Sequence, residues 1–318
     1  MYAYASNFKL PYTLEYNLTL EQGIGSRDTV SVGYVGATGR RLGRVESLRN
    51  VNPRVALIDV VRDTATSDYN ALQIQYRHPL SRDLQVLGSY TFAKSLDTVS
   101  EESTTNFQAP ALRYSPNNDR GPSAFDVRHS FNAAASYSIP FRPTNRFGRA
   151  LLSNYGLDAR VRAVSSRPVN VISGRDPFGF GFSTVARPDL VPGQPLYLSD
   201  SNAPGGRRFN PAAFDGPTPF TAGRQGTFGR NVLRGFPASQ LDLSARREFR
   251  MTERWKLQAR VDAFNVFNHP NFNNPSGNLR DPNFGQATQI LASGLGGLSA
   301  LYQVGGPRSL EIALKILY

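Results

Sequence analysis

Three histidines are the first residues to weigh for metal or acid–base chemistry: His78, His129 and His269. They lie far apart on different predicted strands or loops. Metal sites show close ligand spacing or convergent carboxylates, and neither is present, so no metal site is expected. The chain has no cysteine, which removes thiolate ligands and any disulfide framework. Glu101–Glu102 is a carboxylate pair of the kind used in acid/base work, but it sits in a loop with no partner signal and reads as solvated. The glycine-rich VGATGRR, residues 35–41, lacks the Lys-Ser/Thr of a phosphate loop and opens no helix; it reads as a turn. No Gly-x-Ser-x-Gly elbow or kinase set occurs. Asn17 begins a glycosylation sequon, NLT, but inside a predicted strand. No cofactor is implied, and nothing converges on a reaction, so an enzyme is not expected. The aromatic run DPFGFGFSTVARPDL, residues 176–190, can be a ligand surface or loop packing. Packing is favoured, because a loop that long needs a core of its own.

The net charge is +12, nearly all from arginine, since the only lysines are Lys9, Lys94, Lys256 and Lys315. A basic chain raises nucleic acid as a partner. Here the arginines are scattered among the segments, and no zinc-finger, RRM or helix-turn-helix signature accompanies them. Nucleic-acid binding is therefore not expected.

The elements that must position these residues are strands. In RWKLQARVDAFNVFNHPNFNNP, residues 254–275, one face carries Trp255, Leu257, Ala259, Val261, Ala263 and Phe267. The other carries Lys256, Gln258, Arg260, Asp262 and Phe264. That is the period of two of a strand, without helical spacing. The same alternation gives Leu14, Tyr16, Leu18 and Leu20, then Val30, Val32 and Tyr34. It recurs at Leu72, Ile74 and Tyr76; at Leu84, Val86, Tyr90 and Phe92; and at Phe131, Ala133, Ala135, Tyr137 and Ile139. Leu157, Ala159, Val161 and Ala163 follow, then QLDLSARREF, and last Leu310, Ile312, Leu314, Ile316 and Tyr318. About ten strands result, joined mostly as antiparallel hairpins.

The connections are unequal. Those near Ser26, Arg82 and Thr252 are tight; residues 40–67, 95–126, 177–238 and 268–298 form long ones. Long and short links largely alternate, which places the long loops at one end of an up-and-down sheet. Outer-membrane barrels have short periplasmic turns and long outside loops of this kind. Aromatics near strand ends (Tyr16, Tyr34, Tyr90, Phe92, Tyr137, Phe141, Trp255, Phe267) suit a membrane interface. Arg160, Arg162, Arg246, Arg260 and Lys315 on the polar faces suit a watery lumen. The alternative is a soluble β-sandwich with its polar face outward; strand length, loop asymmetry and the apolar final strand favour the all-β, antiparallel transmembrane barrel. No apolar run reaches the length of a transmembrane helix. The first residues have no basic segment followed by an apolar core, so they do not read as a signal peptide.

These stretches carry a family likeness. PYTLEYNLTLEQ followed by VSVGYVGATGRRL, SDYNALQIQYRHPLSRDLQVLGSYTFAKSLD, DRGPSAFDVRHSFNAAASYSIPF, RFNPAAF, GTFGRNVLRGFP, RWKLQARVDAFNVFNHPNF and the terminal ALKILY resemble, in that order, the C-terminal barrel of TonB-dependent outer-membrane receptors of the Oar-like group. The resemblance spans nearly all of residues 1–318. It implies outer-membrane lipid around the strands and an unknown solute as ligand, a siderophore, glycan or peptide. Capture would be by the long loops and passage through the lumen once a plug moves. Tyr318 resembles the terminal aromatic read by barrel-assembly machinery, although the family more often ends in Phe. The plug, the TonB-contacting segment and about half of a barrel of about 22 strands are not visible, so the expectation is an N-terminally incomplete receptor that meets the TonB complex only through the missing region. A small self-closed outer-membrane barrel with a structural or passive-pore role, pairing the strand at Leu14–Leu20 with that at Leu310–Tyr318, and a soluble β-rich binding protein stand as alternatives.

Overall fold

The computed structural model describes residues 2–52, 54–81, 83–100, 116–141, 143–177, 186–215, 223–291 and 305–318. Nine strands form one antiparallel meander: β1 (Tyr12–Ile24), β2 (Asp28–Asn52), β3 (Val55–Ser81), β4 (Leu84–Asp97), β5 (His129–Ser138), β6 (Tyr155–Val164), β7 (Ala238–Arg250), β8 (Lys256–Phe264) and β9 (Ser309–Leu317). Each pairs only with its chain neighbours along this path, so the sheet is up-and-down. Two short strands attach to it, Tyr2–Tyr4 in parallel with β3 and Gly121–Pro122 against β4.

The register keeps one apolar face across the whole sheet. Leu18 faces Tyr34, Tyr34 faces Leu72, Leu72 faces Phe92, and Tyr90 faces Phe131. Phe131 faces Ala163, Ala159 faces Leu243, Ala245 faces Val261, and Val261 faces Ile312. A slip of one residue anywhere would turn a strand's apolar side chains to the polar face. Among the described residues no second layer covers this face: Leu18 is 77% exposed and Ile312 79%. The soluble sandwich needs a second sheet packed there, and the fold lacks it.

Aromatics mark both rims. Tyr16 and Tyr34 direct their hydroxyls to Asn70, and beyond them the strands turn polar at Thr38 and Asp68. At the opposite rim Trp255 packs on Tyr318, with ring centroids 5.6 Å apart, and Arg247 lies over the rings of Tyr155 and Phe249. An arginine on the apolar face there lays its stem along the rings and its charge toward the rim. The tight links Gly25–Arg27 and Met251–Trp255 stand at this second rim. So does a longer turn that holds α1 (Arg146–Leu152), capped by the Asn145 side chain.

Three expectations need correction. Residues 40–67 are no loop: β2 and β3 continue beyond the aromatic rim as a long two-stranded extension. The register shifts between Gly39 and Leu42, and again between Leu42 and Arg44. Arg41 takes a positive φ of 56° there. Each shift resets which residues share a face, so a single-phase reading of the alternation breaks at that point. VGATGRR is accordingly strand, not turn. Gly36 in it faces Tyr16, and a Cβ at Gly36 would fall 2.1 Å from the Tyr16 ring; the glycine is there so that the ring can lie across the strand. Finally, among the described residues β1 and β9 are the two unpaired edges of the meander, so the pairing that a self-closed barrel requires is not formed.

The apolar core lies in the loops, not the sheet. Val169, Val171, Phe209, Ala213, Phe214, Phe228, Leu233 and Phe284 form it. This small loop core draws on RFNPAAF and GTFGRNVL, together with Val169, Val171 and Phe284. The aromatic run's Phe178, Phe180 and Phe182 fall outside the described residues, as do Glu101–Glu102 and Arg82.

Candidate functional site

The polar face of β5–β9 is a connected ion and hydroxyl network. Asp158 on β6 receives Arg246 from β7, the Ser136 hydroxyl at 2.7 Å and Arg260 at 3.5 Å. Arg260 also meets Asp262 at 2.8 Å and the Ser244 hydroxyl at 2.9 Å. Gly156 makes room for this, since a Cβ there would lie 2.6 Å from the Arg246 guanidinium carbon. The network borders a concavity of about 610 Å³ that Glu311 and Lys315 of β9 also line. A face of this composition cannot pack as a dry core; it suits a wall wetted by solvent.

At the long-loop end a second network locks the connections into a cap. Asp119 receives Arg44 from the β2 extension and Arg187 from the β6–β7 loop, each at 2.6 Å. Arg230 binds the Asp97 carboxylate, the Asp119 carbonyl at 2.7 Å and the Ser100 hydroxyl at 3.0 Å. Asp126 receives Arg234 at 2.5 Å, Arg128 at 3.2 Å and the Ser95 amide at 2.7 Å. Arg44, Asp97, Asp119 and Asp126 are all buried. Gly121 lies so close to Arg230 that a Cβ would sit 2.5 Å from the Arg230 carbonyl oxygen. Further out, paired hydrogen bonds from Arg224 at 2.8 Å hold the Asp189 carboxyl below its usual range, against partial burial. The Ser276 hydroxyl and the Asn283 amide do the same for Asp281.

The Asn/Pro segment after β8 closes the cap on one side. Asn265 takes a φ of 46° that ends the strand, and its side chain donates to His269 and Gly306 carbonyls. Asn271 clasps the backbone of Ser239 from both sides, at 2.8 and 3.0 Å. Asn274 reaches the Pro168 carbonyl at 2.9 Å, tying this loop to the β6–β7 loop.

Tyr318, singled out in the sequence, stands at the end of β9, 95% exposed beside Trp255. His78 pairs with Asp28 at 2.7 Å near the tight-turn rim. His129 and His269, distant in sequence, border one recess of about 300 Å³ on the apolar face, where His129 meets the Tyr90 hydroxyl at 2.8 Å. Among the described residues no group of three metal-ligating side chains occurs. The cap residues Asp97, Asp119, Asp126, Arg187, Arg230 and Arg234 were not anticipated as a set. All but Arg187 lie inside the quoted stretches SLD, DRG, FDVR and GRNVLRG, but their pairing spans up to 133 residues of sequence.

The fold resembles two solved outer-membrane proteins. The outer membrane transporter YddB from Escherichia coli superposes with a TM-score of 0.55 at 12% identity, over 98% of this chain and 33% of that one. The ferripyoverdine receptor of the outer membrane of Pseudomonas aeruginosa, bound to ferripyoverdine, gives 0.50 at 13% identity, over 96% of this chain and 27% of that one. At these identities the likeness is one of fold, and the chain spans a third or less of either structure. No curated protein matches the sequence. The profile of the family described as "Outer membrane beta barrel domain" matches residues 1–296. With an apolar face bare across nine strands, aromatic rims and a polar inner wall, the chain belongs to the outer membrane β-barrel domain family and is a protein of the outer membrane.

Proposed function

We propose that this chain forms part of the wall and the outer cap of a TonB-dependent uptake receptor of the Oar-like group, for a large or scarce solute such as a siderophore, glycan or peptide. The observation that carries the reading is the cap: the β2–β3 extension, the β4–β5 connection and the β6–β7 loop are locked to one another by buried arginine–aspartate pairs above a polar wall. A passive pore has no need of such an ordered outer surface, whereas a receptor needs preorganised loops to hold a dilute ligand. Coupling to the TonB complex would fall to a plug and a TonB-contacting segment that the nine strands do not supply. Tyr318, at the end of β9 and open to solvent, would be the residue that barrel-assembly machinery reads.

The test is genetic and nutritional. The native host is grown on a panel of sole iron, carbon and nitrogen sources, with this gene or the TonB gene deleted. A source lost in both strains supports the reading and names the solute. A source lost with this gene but retained without TonB would leave a passive or differently energised barrel.

A further inference from the structure

We infer that the mouth of the polar wall holds a binding site for an organic anion, with a carboxylate or phosphate head and an apolar or ring-bearing body. The inference rests on the transport reading above and gives the solute a chemistry. The site is a pocket of about 320 Å³, in the size range of small-molecule sites, where β6 and β7 leave the wall and the Asn/Pro segment folds over them.

One side of the pocket is cationic. Arg162, near the end of β6, and Arg167, just beyond it, both line it, and among the described residues no carboxylate does. Among the described residues neither guanidinium makes an ion pair or hydrogen bond, and the Arg162 Nε is fully enclosed with no partner. This departs from the cap, where Arg44, Arg187, Arg230 and Arg234 each hold a carboxylate. The nearby acids are already engaged: Asp126 by Arg128 and Arg234, Asp242 by the Gln240 amide and the Asn265 backbone. Arg162 is half-buried, and a half-enclosed cation without a counter-charge loses hydration and gains nothing in return, while Arg167 stands exposed beside it. A bound anion supplies the missing partner, and a guanidinium meets carboxylate or phosphate through two parallel hydrogen bonds.

The opposite side is apolar and rigid. Phe236 and Phe272 meet with ring centroids 5.4 Å apart, and Leu291 extends the surface. Phe236 is held from behind by Arg207, whose guanidinium lies 5.0 Å from the ring centre, and by Gly205, where a Cβ would collide with the ring at 2.3 Å. Deeper along the same face of β6, Arg160 is also unpaired among the described residues and lines the next two concavities. The three arginines mark a cationic track from the mouth into the wall.

The test uses the full chain, extracted from outer membranes in detergent, and fluorine NMR line broadening of three probes: 4-fluorobenzoate, 4-fluorophenyl phosphate and the neutral 4-fluorobenzyl alcohol. At least one anion should bind about tenfold or more tightly than the alcohol, as expected for a charge-assisted hydrogen bond; which anion wins distinguishes carboxylate from phosphate chemistry. Arg162→Gln and Arg167→Gln should each weaken that binding by about tenfold, and Arg77→Gln, on the same face but outside the pocket, should not. If Arg162→Gln fails to fold, Arg167→Gln in the loop decides alone. Equal binding of alcohol and anions, or anion binding unchanged in the Gln variants, overturns the inference. Should the wild-type chain lie in the outer membrane yet show no anion preference, the pocket assignment falls while the barrel stands. Absence of the chain from that membrane would fell the transport reading too.

Discussion

Replacing Arg230 with methionine should unlock the cap while leaving the strand wall intact. The Arg230 side chain is 7% exposed and the Asp97 side chain 3%. Its Nε donates to the Asp119 carbonyl and one terminal nitrogen to the Ser100 hydroxyl; the other serves both the carboxylate and the carbonyl of Asp97. Without the arginine, the Asp97 carboxylate stays buried with, among the described residues, only the Ser100 hydroxyl to satisfy it. Breaking one side of a buried ion pair costs about 3–5 kcal/mol. At about 1.4 kcal/mol per decade, local opening should rise by about two to three and a half orders of magnitude. Hydrogen exchange by mass spectrometry reads this directly, in peptides covering 117–126 and 186–191. Peptides from β7 and β8 serve as the internal control, because the polar-wall network around Asp158 does not include Arg230. The double variant Arg230→Met with Asp97→Asn should recover part of the loss, since it removes the stranded charge. If exchange in the loop peptides changes less than about threefold, or the strand peptides lose protection equally, the cap is not the separate cooperative unit that this reasoning requires.

Four further outcomes can be checked. Gly121→Ala should open the same cap, because a Cβ 2.5 Å from the Arg230 carbonyl oxygen forces two backbones apart; protease cleavage of intact cells within 186–237 would report it. Val261→Arg, on the apolar face between Ala245 and Ile312, should cost about 2–4 kcal/mol of folding in lipid vesicles, while Ala134→Arg on the polar wall should cost about 1 kcal/mol or less; equal costs would mean the faces are assigned wrongly. Trp255 is the only tryptophan, so its fluorescence should be quenched by lipids brominated near the headgroup, and an absence of quenching would remove it from the rim. Asp189 and Asp281 have carboxyls held below their usual range, so their contribution to loop stability is present above the unfolded value and is lost as pH falls through the folded one. Pepsin should therefore leave the loops intact near pH 5 and cut them increasingly below about pH 4.

The wall was legible because its signal is local. A strand with one lipid-facing side repeats every two residues, and Leu310, Ile312, Leu314 and Ile316 show it without help from any other segment. The extension at 40–67 was missed for the same reason: the shifts around Arg41 change phase, and a local rule reads a phase change as an ending. The cap was not legible at all. Asp119 finds Arg44 from 75 residues away and Arg187 from 68, and nothing in the chemistry of either arginine distinguishes it from Arg160 or Arg162, which find no carboxylate among the described residues. His129 and His269, read as distant, share a recess because β5 and the loop after β8 meet at one rim.

The open sheet constrains what must complete it. In the hydrocarbon core every backbone N–H and C=O needs a partner, and each one lacking costs several kcal/mol. Among the described residues β1 and β9 present unpaired edges, so these nine strands alone cannot rest in lipid. In an up-and-down meander of nine, the first and last strands run the same way. Joining them directly would need a parallel pair, and so would a ring made of two copies related about the membrane normal, since that rotation preserves strand direction. A fully antiparallel ring has an even number of strands, which requires an odd number of strands beyond these nine. For a wall of about 22 strands, as in large transporters, about thirteen more are needed. An antibody against residues 268–291 would decide this on native outer membranes: a band well above 35.0 kDa supports completion within a longer chain. A band at that mass, folded and alone in the membrane, would mean that β1 and β9 close the ring in parallel after all.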